Sequence, residues 1–210
     1  MGIQERRKRE RETRRHQIMV AAKNVFYQKG FSKSTMEDIA RAAELSPGTL
    51  YLYFKNKDEL YASLSLRVLQ YLLIRLEEVE KQTDIKARKR LALLQEAIYD
   101  VYEFDPVIFV KMFHLQSGEA YPNLTSQLRT DISDLTGKSL QVLARLLKAG
   151  LTGQDIISQN YGKLAEMLWA FFSGVVLFEA NKKMAGDKNG DLKATLKAAL
   201  EIFFRGIQQI

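Results

Sequence analysis

Residues 44–60, ELSPGTLYLYFKNKDEL, set a Ser-Pro-Gly turn signal before an aromatic-rich run, then lysines and a fresh acidic helix start. The segment is too apolar for a solvated loop and too brief for an ordinary core helix. Ser46 suits the N-cap of a short helix whose first position is Pro47, where a missing N–H costs nothing. That helix spans about 47–53. On it Leu50 and Phe54 stand four residues apart and define the packed face, so Pro47, Gly48, Thr49 and Leu52 point away from it and Tyr51 and Tyr53 flank it. Gly48 costs about 1 kcal/mol relative to alanine in a helix already marginal by its length. Close approach of a partner to its backbone is the compensation. Thr49 offers a hydroxyl and a methyl, which suit a phosphate, a base edge or a thymine methyl.

Working upstream, SKSTMEDIARAAELS (32–46) offers Ser34 or Thr35 as an N-cap, with Glu37 or Asp38 respectively three positions on, a capping box in either frame. The spacing predicts a helix over about 35–42. Before it, Ile18, Ala22, Val25 and Phe26 share one face of a helix over about 13–29, closed by Gly30 with Phe31 as its apolar partner. Residues 1–12 have no apolar periodicity and are expected to form a basic, flexible arm. Downstream, Asn56 caps a long helix whose stripe is Leu60, Leu64, Val68, Leu72 and Leu76. Further helical patterns cover about 86–104, 106–115, 122–149, 160–185 and 190–208, with Gly137 interrupting the third. About nine helices and no strand-like alternation make the chain all-α. The expected domains are the arm (1–12), a three-helix helix-turn-helix module (13–57) and a larger helical body (58–210).

Charge supports that division. Residues 1–57 carry 13 Lys and Arg against 6 Asp and Glu, whereas residues 58–210 carry 19 of each sign. A basic head on a neutral body points to a polyanion as partner. In a helix-turn-helix the second short helix enters the DNA major groove, and Lys57, at a helix start where free N–H groups already favour anions, is placed for a phosphate.

TMEDIARAAELSPGTLYLYFKNKDELYASL (35–64) resembles the DNA-binding module of the TetR family of bacterial transcriptional regulators. The shared pattern is Thr-x-x-x-Ile-Ala, a turn, then Ser-x-Gly-x-Leu-Tyr-x-Tyr-Phe-x-x-Lys-x-x-Leu. Where the family turn carries a glycine, this chain has Glu44-Leu45. The resemblance implies that Thr35 holds a phosphate, that Ser46, Pro47, Gly48 and Thr49 face DNA, and that Tyr51, Tyr53 and Lys57 clamp the backbone. Arg14 and Arg15, with Arg11, would add phosphate or minor-groove contacts. It further implies a homodimer on a palindromic double-stranded operator and a body that binds a small effector.

In the body, MLWAFFSGVVLF (167–178) is apolar all round except for Ser173, and the run is too short to span a bilayer. A helix apolar on every side needs core on one side and, here, a partner subunit on the other. The last helix adds the stripe Leu196, Leu200, Phe203, Phe204 and Ile207. Candidate effector contacts are Tyr102, Phe109, Met112, Phe113, His114, Trp169, Phe172 and Val176, residue types that plain core packing uses equally. With few charges nearby, the expected effector is hydrophobic or amphipathic, with at most one polar end near Lys111 or His114. Two isolated histidines, no cysteine and no carboxylate pair leave no metal site, no cofactor and no catalytic constellation, so an enzyme is not expected. Nothing resembling a secretory signal or a membrane span appears, and a cytoplasmic protein is expected. The rival reading is an architectural DNA-binding protein without effector control.

Overall fold

The computed structural model describes residues 2–83, 85–116, 121–151, 160–184, 186 and 191–207, with the side chains of all of these except 87, 88, 111, 113–116, 121, 183 and 184. The described residues form nine α-helices and a 3-10 turn: α1 Ile3–Lys29, α2 Met36–Ala42, α3 Pro47–Tyr51, α4 Lys57–Glu80, α5 Ala87–Phe104, α6 Pro106–Gln116, the turn Tyr121–Asn123, α7 Ser126–Gly150, α8 Tyr161–Met184 and α9 Leu192–Gly206. No strand occurs among them. The chain divides into two compact units, Met1–Leu66 with Leu115–Arg129, and Arg67–His114 with Thr130–Ile210. The division falls inside α4.

In the first unit α1 begins at Ile3, so the stretch expected to be a flexible arm is helical. Its Arg, Lys and Glu residues are strong helix formers, and Arg6 pairs with Glu10 one turn on at 2.8 Å. The buried face starts at Ile18 and continues through Ala22, Val25 and Phe26 onto Ile39, Leu50, Phe54, Leu60 and Tyr61. Gly30 ends α1 at a φ of 75°, donating its N–H to Phe26 O at 3.0 Å. The rings of Phe26, Phe31 and Tyr61 meet with centroids 5.2 to 5.7 Å apart.

α2 starts with the Thr35–Asp38 capping box. It ends in a Schellman motif: Leu45 N–H donates to Ala40 O (2.9 Å) and Glu44 N–H to Arg41 O (3.2 Å). The residue at the turn is Glu44, at a φ of 55°. This left-handed position is where glycine is favoured, so the turn is made by a residue that strains it.

In the second unit Val68, Leu72 and Leu76 of α4 are buried, as are Leu94, Ala97, Ile98 and Val101 of α5. Gly137 neither splits nor ends α7. Two ion pairs join the helices, Arg75 to Asp100 at 2.5 Å and Arg145 to Glu80 at 2.5 Å. α8 is longer than its apolar run, and Tyr161–Lys182 has the length and hydropathy of a membrane span. It packs on α9, with Leu164, Leu168, Phe172 and Val176 buried. A second face carries exposed Met167, Phe171 and Phe178 (65 % exposed) at helical spacing. The α9 stripe divides: Leu196, Leu200 and Ile207 are buried, Phe203 and Phe204 are half-buried, and Ile202 (67 % exposed) extends the uncovered face.

Candidate nucleic-acid interface and ligand cavity

The five-residue helix α3 is too short to be stable alone, and local caps fix its start. Ser46 Oγ accepts Thr49 N–H at 3.1 Å and lies 2.8 Å from Thr49 Oγ1. Leu50 and Phe54 bury its inner face. The outer face presents Pro47, Gly48 and Tyr51, with Leu52 (74 % exposed) at its end, while Thr49 and Tyr53 are half-buried. A Cβ built on Gly48 would meet nothing nearer than Ser46 Oγ at 3.9 Å. No packing among the described residues therefore requires glycine there. Thr35 is exposed at the start of α2, its Oγ1 accepting Asp38 N–H at 3.1 Å, and the Asp38 carboxylate takes Lys29 Nζ at 2.7 Å. That hydrogen bond holds Asp38 below the usual carboxylate range. Arg14 is exposed on α1.

Arg15 and Lys57 are placed differently. The Arg15 guanidinium lies 4.0 Å over the Phe54 ring and donates to Tyr53 O (3.1 Å) and to Ser63 Oγ (2.9 Å). Burial lowers its pKa, opposed by the charge of Glu59 and assisted by that of Arg11. Lys57 Nζ donates to Phe31 O (2.6 Å) and Ser34 O (2.8 Å) and lies 4.4 Å over the Phe31 ring. Both cations face protein acceptors whose partners are 23 to 48 residues away in sequence, a distance no local signal spans.

The second unit contains a narrow apolar cavity of about 10 Å³, lined by Leu69, Leu72, Leu76, Ile98, Leu143 and Trp169 together with Thr136, Ser139 and Leu140. Among the described residues, no charged side chain borders it. Of the effector contacts expected from sequence, Trp169 lines this cavity. Tyr102, Phe109, Phe172 and Trp169 form a chain of ring contacts with centroids 5.6 to 6.2 Å apart. Met112 and Val176 are buried. The side chains of Lys111, Phe113 and His114 lie outside the described residues. The aliphatic lining was not singled out in the sequence because its leucines share the spacing of ordinary core positions.

Residues 18–64 match the family described as bacterial regulatory proteins, tetR family. Over 192 residues the chain is 28% identical to the fatty acid metabolism regulator protein of Bacillus subtilis, covering 91% of this chain and 94% of that one. Over 161 residues it is 26% identical to the transcriptional activator FasR of Mycolicibacterium smegmatis, covering 72% and 73%. Among solved structures it resembles the regulator FadR of Bacillus subtilis in complex with stearoyl-CoA, with a TM-score of 0.66 and 25% identity over 91% of this chain and 98% of that one.

Proposed function

Because the chain belongs to the TetR family of bacterial transcriptional regulators, which are not enzymes, we propose that it is a homodimeric repressor released from a palindromic operator by a long-chain acyl ligand. The observation that carries the DNA-binding half is the capped α3, which exposes Pro47, Gly48, Tyr51 and Leu52 while Leu50 and Phe54 anchor it. Thr35 and Arg14 supply polar and cationic contacts beside the base-reading residues. Thr49 and Tyr53 flank the exposed helix, and Ser46 sets its start.

Dimerisation is supported by the exposed apolar row Met167, Phe171 and Phe178 with Ile202 on α9, the kind of surface that marks an interaction site. The Phe171 and Phe203 rings stack 6.1 Å apart, which extends the row across both helices. In a two-fold dimer the two α3 helices read successive major grooves, roughly 34–36 Å apart.

The aliphatic cavity supports the ligand class. Each CH₂ moved from water into it gains about 0.8 kcal/mol, whereas an unpaired charge there would cost several kcal/mol. The cavity is too narrow for an acyl chain as it stands, so occupation spreads the helices that line it. A ligand that fits only the spread form shifts the population toward that form. α4 carries Leu69, Leu72 and Leu76 of the lining and, at its other end, Lys57 and Ser63 that hold the DNA-reading unit. Fatty acid and stearoyl-CoA in the relatives' names favour an acyl chain over other lipophiles; the polar head then remains outside the lining.

The test is selection of duplexes from a random library by the purified chain, followed by thermal melting with stearoyl-CoA, stearate and coenzyme A alone. A two-fold symmetric enriched sequence and stabilisation by the acylated compounds are expected. Binding without sequence preference favours the architectural reading. Stabilisation by coenzyme A alone would contradict the apolar cavity as the ligand site.

A further inference from the structure

Resting on the reading of the cavity as the ligand site, we infer that Thr136 is the hydrogen-bonding pole of that site, and that the ligand it selects carries one uncharged oxygen, a carbonyl or a hydroxyl, along or at the end of its apolar chain. α7 brings the hydroxyls of Thr136 and Ser139 to a lining otherwise made of hydrocarbon and the Trp169 indole. Three residues apart on one helix, they share a face. Their situations differ. Inside a helix such a hydroxyl commonly bonds to the carbonyl of the preceding turn, and Ser139 does so, its Oγ donating to Leu135 O at 2.8 Å. Thr136 Oγ1 is buried and has no hydrogen-bond partner among the described residues.

A buried hydroxyl left unpaired is destabilising, and valine would fill the same volume without it. The hydroxyl therefore points to a partner that the protein chain does not supply. A buried water is one such partner, but it needs about two to four polar neighbours, and the lining offers Thr136 and the spare acceptor capacity of an already bonded Ser139. A ligand oxygen needs only Thr136. Its chemical class follows from the surroundings. Among the described residues no charged side chain borders the cavity, so a carboxylate or ammonium brought there stands unpaired. A carbonyl accepts from the Thr136 hydroxyl, and an alcohol accepts or donates. An acyl thioester presents such a carbonyl where its chain begins, whereas a free fatty acid presents a charged carboxylate. Thr136 thus favours the thioester over the acid of the same chain.

The test uses two pairs of probes that differ in one neutral oxygen: stearoyl-CoA against S-octadecyl-CoA, the thioether without the carbonyl, and octanol against chlorooctane. Binding to wild type, Thr136→Val and Thr136→Ser is followed by the fluorescence of Trp169, which borders the cavity and is the sole tryptophan of the chain. The affinity ratio within a pair is compared between variants, which cancels the hydration of the probes themselves. In wild type and Thr136→Ser the ratio in favour of the oxygen-bearing probe exceeds that in Thr136→Val by about tenfold in at least one pair, the size of one neutral hydrogen bond gained by a hydroxyl that had none. A Thr136-dependent ratio in the CoA pair puts the thioester carbonyl at Thr136; one in the octanol pair alone puts a chain hydroxyl there. The unliganded Thr136→Val protein melts about 2–4 °C above wild type, because valine removes an unpaired hydroxyl. Ratios that Thr136→Val leaves unchanged in both pairs overturn the inference. So does a lowered midpoint of Thr136→Val, which shows the hydroxyl already paired in the empty protein. If neither CoA compound binds while the octanol ratio depends on Thr136, the acyl reading fails and the Thr136 site stands; if none of the probes binds, both fail.

Discussion

Gly48→Ala separates what the recognition helix needs for folding from what it needs for DNA. Gly48 is the second residue of α3, and its backbone is not left-handed. A methyl group there would find only Ser46 Oγ, at 3.9 Å, an ordinary contact. Alanine should therefore stabilise the helix by about 0.5 kcal/mol, the lower end of the helix-interior difference because the position is near a terminus. For a chain of 210 residues that raises the melting midpoint by about 1–2 °C. If the missing side chain exists to admit DNA, the same methyl should weaken specific binding by about 1.4 kcal/mol or more, tenfold in affinity. The assay is a thermal melt paired with anisotropy on the enriched duplex: stability rises while affinity falls. Unchanged affinity would refute the close approach of DNA to Gly48. A lowered midpoint would refute the open surroundings from which the gain is reckoned.

Three further outcomes can be checked. Phe171→Glu places a charge in the exposed α8 row, and the variant should sediment as a monomer; a stable dimer of this variant would remove α8 from the interface. Glu44→Gly relieves a left-handed residue, worth about 1–2 kcal/mol, against the larger chain entropy of glycine, about 0.5–1 kcal/mol. It should raise stability by about 0.5–1 kcal/mol in a denaturant titration, and any loss would show that the Glu44 side chain does unrecognised work. Asp38 and Glu80 are both held below their ordinary pKa, by hydrogen bonds from Lys29 and Arg145 respectively. Their contribution is present above the unfolded values near pH 4 and is lost as pH falls through the lower folded values. Melting temperature should drop below about pH 4, less steeply in an Asp38→Asn, Glu80→Gln double variant, and an equal slope would exclude these two pairs.

The helix boundaries were legible wherever a local chemical signal marks them. Thr35 with Asp38, Ser46 with Pro47, Asn56 and Gly30 each act within four residues, and each does in the structure what its spacing predicts. The α4 stripe Leu60, Leu64, Val68, Leu72 and Leu76 is buried throughout. The first turns of α1 were missed because a helix held by propensity and an Arg6–Glu10 pair has no apolar period to detect. The partners of Arg15 and Lys57 were out of reach for another reason. Composition counts a cation as basic whether it faces a phosphate or a carbonyl, and only the tertiary fold brings Phe31, Ser34, Tyr53 and Ser63 to them. The cavity was hidden likewise: Leu69, Ile98 and Leu143 differ from core residues only in facing space that four helices leave unfilled.

The proposed coupling of ligand to DNA is tested most directly by the anisotropy of the enriched duplex, saturated with protein and titrated with stearoyl-CoA. Moving a two-state equilibrium from 1:99 to 99:1 needs a ligand preference of about 10⁴-fold for the state that releases DNA. Cooperative loss of the complex is expected with stearoyl-CoA, with no effect from coenzyme A alone, and a weakened response when Leu72→Trp fills the cavity. A complex unmoved by saturating stearoyl-CoA that nevertheless stabilises the protein would contradict coupling between the cavity and DNA.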